Sequence, residues 1–241
     1  MTNLTTLIRG EFSRLNKYGL FKANLVILLV WIFLVWFMES EALLRFIPLI
    51  FLMDSVMMTI LLVGATLFYE KKEHTINSLM VTPVTENEYL MSKIITNVLN
   101  SLLTVFIISL AVYLLKGVTY KYWLVIPAVT LVSVVHTLIG IRLSYSAKDF
   151  TSLLINYMAY VFIFFLPSLF AQLNLVDQAV ARFFILLPPE ASGLLITSGF
   201  TVTEPWKIVF SSLYLALLSI LLFRFVVKPQ FIAYVMKETG V

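Results

Sequence analysis

Six long apolar runs decide what this chain can fold into. They extend roughly over Ala23 to Met38, Phe46 to Phe68, Ile94 to Leu115, Trp123 to Leu143, Phe150 to Leu173 and Trp206 to Val227. A helix needs about 20 mostly apolar residues to cross a hydrocarbon core of about 30 Å. Each run is therefore read as a span. The charge content agrees: 12% of residues are charged, where soluble domains carry about 25%. The first run is the shortest, but Lys22 can snorkel at one end and Trp36 sits near the other. Basic residues precede it as they would a signal peptide, yet "MESEALLR" offers no small-x-small cleavage site. It reads as a retained span.

Orientation follows from the cations. With the N-terminus inside, Arg9, Arg14, Lys17, Lys22, Lys71, Lys72, Lys93, Arg142, Lys148, Arg224, Lys228 and Lys237 fall on the inner side. Arg45, Lys116, Lys121, Arg182 and Lys207 fall outside. The positive-inside rule then places both termini in the cytoplasm. A net charge of +4 with no basic cluster among exposed aromatics gives no case for nucleic acid.

Two segments outside the spans have structure of their own. Residues 1–20 carry Leu4, Leu7, Ile8, Phe12 and Leu15 at helical spacing, with Arg9, Glu11, Arg14 and Asn16 largely opposite. That is an amphipathic helix lying in the interface, either an anchor or an elbow that passes force into the first span. Residues 174–205, on the outer side, are only moderately polar. Pro188 and Pro189 break them, Glu190 suits a helix N-terminus, and Gly199 is placed to end that helix. The expectation is a broken, re-entrant hairpin that caps something.

Familiar catalytic signatures are missing. There is no G-x-x-x-x-G-K-[ST], no H-E-x-x-H, no G-x-S-x-G and no Cys, which removes the usual phosphate cradle, zinc site and nucleophile elbow. Two ionisable groups lie within spans. Asp54 is about 12 Å below the outer end of the second run at the usual helical rise. An acid there should face the bundle interior or a cavity. It is either a structural, hydrogen-bonded acid or a pathway residue, with Met57 and Met58 beside it as an adaptable apolar wall. His136, in the fourth run, reads as a core histidine or a second pathway residue.

The remaining charge is concentrated in residues 69–90. Glu70 and Glu73 flank two Lys, "HTINSLM" makes a short helix with Ile76, Leu79 and Met80 on one side, and Pro83 stops it. Thr85 with Glu88 then forms a capping box for a new helix. An amphipathic helix with a proline stop is a docking element, since a tether would not need one.

From Glu70 to Lys93 the chain reads E-x-x-E-x-T-x-x-x-L-x-x-T-P-V-x-x-x-E-Y-L-x-x-K. This resembles the cytoplasmic loop of type-2, export-class ABC transporter permeases, and in particular small bacterial permeases of drug (fluoroquinolone-type) or peptide-toxin exporters. His74 stands where members commonly have Gly. The resemblance implies an all-α membrane protein built as one transmembrane domain over 1–241. It has six spans, an interfacial helix, a coupling helix and the outer hairpin, set in a bacterial-type plasma membrane.

It also implies that Glu70, Glu73, His74, Thr75, Leu79, Thr82 and Pro83 dock on a separate ATPase. ATP and Mg would then be bound by that partner, with no cofactor in this chain and no catalysis by it. Six spans without an internal repeat are half a pathway, so two permease copies over two ATPase subunits are expected, a homodimer before a heterodimer. The cargo expected from the apolar walls and sparse negative charge is amphipathic, a drug or membrane-active peptide. The alternatives are a non-transporting anchor or sensor subunit, or an exporter of lipid-linked glycan, heme or sodium.

Overall fold

Asn3–Lys17 forms α1, and Gly19, in the left-handed region at φ 71, turns the chain into the first span, α2 (Leu20–Phe37). A side chain is rarely accommodated at that φ, so glycine supplies the corner. The computed structural model describes residues 3–75 and 82–239. The other spans are α3 (Ser40–Lys72), α4 (Glu86–Lys116), α5 (Tyr122–Ser146), α6 (Phe150–Gln172) and α9 (Pro205–Val235). Between α6 and α9 lie α7 (Ala179–Leu186) and α8 (Pro188–Thr197), bent by 98° at Leu187. No strand occurs among the described residues. The helical architecture, the six spans and the broken hairpin between the fifth and sixth spans are as the sequence implied.

Helices α3 and α5 form the centre. In their most apolar windows 67% and 61% of residues are buried, against 17% for α2 and 11% for α9. The peripheral spans therefore present most of their apolar surface outward, as expected of lipid-facing helices. The seam between α3 and α5 is closed by small residues. A Cβ on Gly140 would stand 2.5 Å from Val63 Cγ1 and 3.1 Å from Ile60 Cα. Without a hydrophobic drive between helices in lipid, such backbone approach is what holds spans together. Two buried clusters result. One runs towards the hairpin through Phe51, Val132 and Ile196, and the other towards the termini through Leu67, Tyr89, Leu138 and Phe231.

Three expectations change. Helix α3 begins at Ser40 rather than near Phe46 and continues through Pro48. Charged Glu41 and Arg45 interrupt the hydropathy but not the helix, and Glu41 sits in the first turn where the helix dipole favours an acid. Asp54 is consequently roughly 21 Å from the outer end, near mid-membrane. It opens a π-helical stretch, Asp54–Met58. Glu11 does not belong to the solvent side of α1: Leu7, Glu11 and Leu15 are its buried positions. Gly199 lies two residues past the end of α8 and has no positive φ. Its missing side chain instead admits Val125, whose Cγ2 would be 2.4 Å from a Cβ there.

The hairpin caps the end of the bundle opposite the termini. Phe200 stacks on Tyr120 and meets Phe51, and the Lys121 amide donates to the Gly199 carbonyl at 2.9 Å. In the turn, Gln172 donates to buried Glu190 at 3.3 Å, and Tyr214 donates to the Leu186 carbonyl at 2.7 Å.

Candidate functional site

At the terminal side of the bundle, where α3 leaves the membrane and α4 enters it, four charged side chains are packed together. Glu70 lies in the last turn of α3, Lys93 lies two turns into α4, and Glu11 and Arg14 come from α1. Lys93 is 0% exposed, Glu70 1% and Glu11 2%. Lys93 donates to Glu11 at 2.9 Å and also to Glu70. Arg14 donates to Glu11 at 2.7 Å, and its Nε is 3.1 Å from Glu70, a charge contact without hydrogen-bond alignment. Tyr89 donates to the other Glu70 oxygen at 2.6 Å.

Two acids and two cations make the group formally neutral, the condition under which buried charge is tolerable. Burial pushes the Glu11 carboxyl up from its ordinary value, against the pull of Lys93, with Glu70 adding repulsion. Burial would lower Arg14, but Glu70 and Glu11 outweigh it and hold the guanidinium up.

The same helix α1 reaches both flanks of the charged loop. Lys17 donates to both Glu73 oxygens at 2.8 Å, and Tyr18 donates to Glu73 at 2.8 Å while stacking on Tyr69. These hydrogen bonds hold the Glu73 carboxyl below its usual range. At the other flank Asn3 donates to the Pro83 carbonyl at 3.2 Å. Helix α1 is thus set against the two ends of the loop and, through Glu11 and Arg14, against the ends of α3 and α4.

The loop's entry and exit obey local rules. The His74 amide donates to the Lys71 carbonyl at 3.1 Å, and the Thr75 hydroxyl to the Glu70 carbonyl at 3.2 Å, closing the C-terminus of α3. His74 does this in the left-handed region, at φ 54. Such a helix end favours glycine, the residue that the resemblance to export-class permeases led one to expect there. Replacing His74 by Gly should therefore leave the protein folded and raise its stability by up to about 1 kcal/mol. A thermal melt of the purified variant checks this, and a clear loss would show that the His side chain is needed. On the exit side, Thr85 caps α4: its hydroxyl accepts from the Glu88 amide at 3.3 Å, and its own amide donates to the Glu88 carboxylate at 2.9 Å. The capping box stands as read from the sequence.

Residues 2–239 match the fluoroquinolones export permease protein family. The chain belongs to that family. Two fluoroquinolones export permease proteins of Mycobacterium tuberculosis, from strains CDC 1551 / Oshkosh and ATCC 25618 / H37Rv, are each 23% identical to it. Both comparisons cover 100% of either chain. No solved structure matches. The resemblance carried by the charged loop, to export-class permeases of the ABC type, is borne out at the level of the family. With six spans, this family member is a multi-pass membrane protein.

Among the residues expected to dock, His74, Thr82 and Pro83 are exposed at the loop's flanks, Thr75 is half-buried, and Leu79 lies outside the described residues. Glu73 is exposed but held by Lys17 and Tyr18. Glu70 points inward and its carboxylate is fully engaged by the cluster. The residues expected along a pathway are not gathered at an opening. Asp54 is 1% exposed and His136 0%, while Met57 and Met58 are half-buried.

Neither Asp54 oxygen has an aligned hydrogen-bond partner. Thr104 faces it, and its hydroxyl is likewise without an aligned partner. His136 bonds the Val132 carbonyl through Nδ1 at 2.8 Å and sets its ring edge against Tyr160. Sequence reasoning missed Glu11, Arg14 and Lys17 as partners of the loop. The available signal was an acid spaced i, i+4 from both Leu7 and Leu15, on the buried stripe of α1.

Proposed function

We propose that this chain is the membrane half of an ATP-driven drug exporter, with the loop between α3 and α4 docking on a separate ATPase. The observation that carries the proposal is the grip of α1 on that loop. Both flanks are held, by Lys17 and Tyr18 at Glu73 and by Asn3 at Pro83. The charged cluster joins the same helix to the spans. A push on the loop is then delivered to α3 and α4 together and cannot be absorbed by a slack connector. Glu70 acts as a positioning residue in this scheme, while His74, Thr75, Leu79, Thr82 and Pro83 supply the surface that meets the partner.

Both termini and the loop lie in the cytoplasm, two permease copies stand over two ATPase subunits, and ATP and Mg stay with those subunits. The cargo is an amphipathic drug of the fluoroquinolone type, the class that the relatives' names carry. Its path runs along the apolar surface that the peripheral spans leave outward. Asp54 contributes only if the bundle opens near its π-helical turn, since π-bulges mark sites where helices rearrange.

Reconstitution with the cognate ATPase tests the proposal. Fluoroquinolone should stimulate ATP hydrolysis by the complex, and the permease alone should hydrolyse none. Leu79→Asp should insert normally yet abolish the stimulation, because it places a charge in an apolar docking contact. Drug-stimulated hydrolysis at the wild-type level in that variant would remove the docking role. An ATPase unresponsive to any drug would favour the anchor reading.

A further inference from the structure

A groove of about 600 Å³ runs down the outside of the bundle between α9 and the pair α4 and α5. Its walls are ordered along the membrane normal. Leu138, Ile94, Met91 and Phe223 make an apolar channel, while Arg224, Lys228 and Asn87 line its terminal-side end. Arg224 lies in a π-helical stretch of α9, Leu222–Val227, and Lys228 directly follows it; both line the groove. Among the described residues neither makes an ion pair with a carboxylate. Asn87 sits in the first turn of α4, at the level where that helix enters the membrane.

The charge pattern selects the occupant. Two unneutralised cations at the mouth of an apolar channel attract an amphiphile with an anionic head and repel a cationic drug. A second copy of this chain packed here about a two-fold axis would set like charges against like. Basic clefts between spans at the bilayer interface are where anionic lipid heads are held.

We propose that this groove is a binding site for one anionic phospholipid of the leaflet on the side of the termini. Its phosphate lies between Arg224 and Lys228, and an acyl chain lies along Met91, Leu138 and Phe223. The lipid fills the gap between α9, the least buried span, and the bundle. The inference does not depend on the transport reading, because its test reads lipid and not export.

The test uses the full chain, reconstituted in vesicles of phosphatidylcholine containing a minority of phosphatidylglycerol. The protein is then released in mild detergent and its retained lipid is weighed by native mass spectrometry. The wild type should keep one phosphatidylglycerol per chain, well above its share of the vesicle. Each cation near such a surface changes affinity roughly fivefold, so Arg224→Gln with Lys228→Gln should lower the enrichment on the order of 30-fold. Arg224→Lys with Lys228→Arg should preserve it, which separates charge from misfolding. Arg182→Gln, which removes an exposed cation at the opposite side, should also preserve it. Retention of the two lipids in the vesicle's own ratio would overturn the site. So would equal loss in the Arg182 control or undiminished retention in the double Gln variant.

Discussion

Replacing Lys93 by Met should destabilise the protein by about 3–5 kcal/mol, the cost of stranding a buried partner charge, and lower the detergent melting temperature on the order of 10 °C. The side chain is 0% exposed and bonds two carboxylates at once. Without it, Glu11 and Glu70 are left with Arg14 alone, and one buried carboxylate has no counter-charge. The deficit should depend on pH in a fixed direction. Glu11 is already pushed above its ordinary 4.5, and loss of Lys93 pushes it further.

An acid whose folded-state value is raised binds its proton more tightly in the folded form than in the unfolded one. Stability therefore falls as pH rises from the unfolded value through the folded one. The Lys93→Met deficit should be largest near neutrality and shrink as pH is lowered towards 4.5. Adding Glu11→Gln should restore much of the loss, because Arg14 and Glu70 then balance. A melt unchanged by Lys93→Met, or losses that simply add in the double variant, would mean that the four charges do not act as a unit.

The second large effect is expected at the seam of α3 and α5. Gly140→Leu must drive its side chain into Val63 and the Ile60 backbone, and backbone cannot rotate out of the way. Overpacking a tight site costs about 1–3 kcal/mol where side chains can yield, and this site has less freedom than that. Gly140→Ala should show a smaller loss in the same direction. Val63→Ala in the Gly140→Ala background should recover part of it, since the nearest clashing atom is Val63 Cγ1 at 2.5 Å. Folded yield by fluorescence-detected size exclusion and the thermal midpoint are the measurements. A Leu variant as stable as the wild type would mean that the two backbones are not in close approach. Because Glu70 lies in the last turn of α3, a variant that separates these spans should also weaken drug-stimulated ATP hydrolysis.

Much of this protein was legible in one dimension. Span number, the broken hairpin at Pro188 and Pro189, and the capping box of Thr85 with Glu88 depend on local quantities: hydropathy over a helix length, a missing amide, a side chain reaching three residues along. Each is settled within a few residues of itself, so sequence alone determined them.

Tertiary structure decided what the charges are for. Glu11, on a helical repeat with Leu7 and Leu15, and Glu70, in a loop full of charge, each looked solvent-facing, because an acid is ordinarily exposed. They are buried because Lys93, 82 residues from Glu11, and Arg14 arrive at the same point when α1 lies across α3 and α4. No local pattern encodes that meeting. Asp54 likewise read as an outer-half residue until Ser40–Arg45 joined the helix, since hydropathy measures affinity for lipid and not where a backbone stops being helical. The seam at Gly140 and the groove beside Arg224 were silent for the same reason. A close approach or a cleft belongs to two surfaces, and a single sequence presents them one at a time.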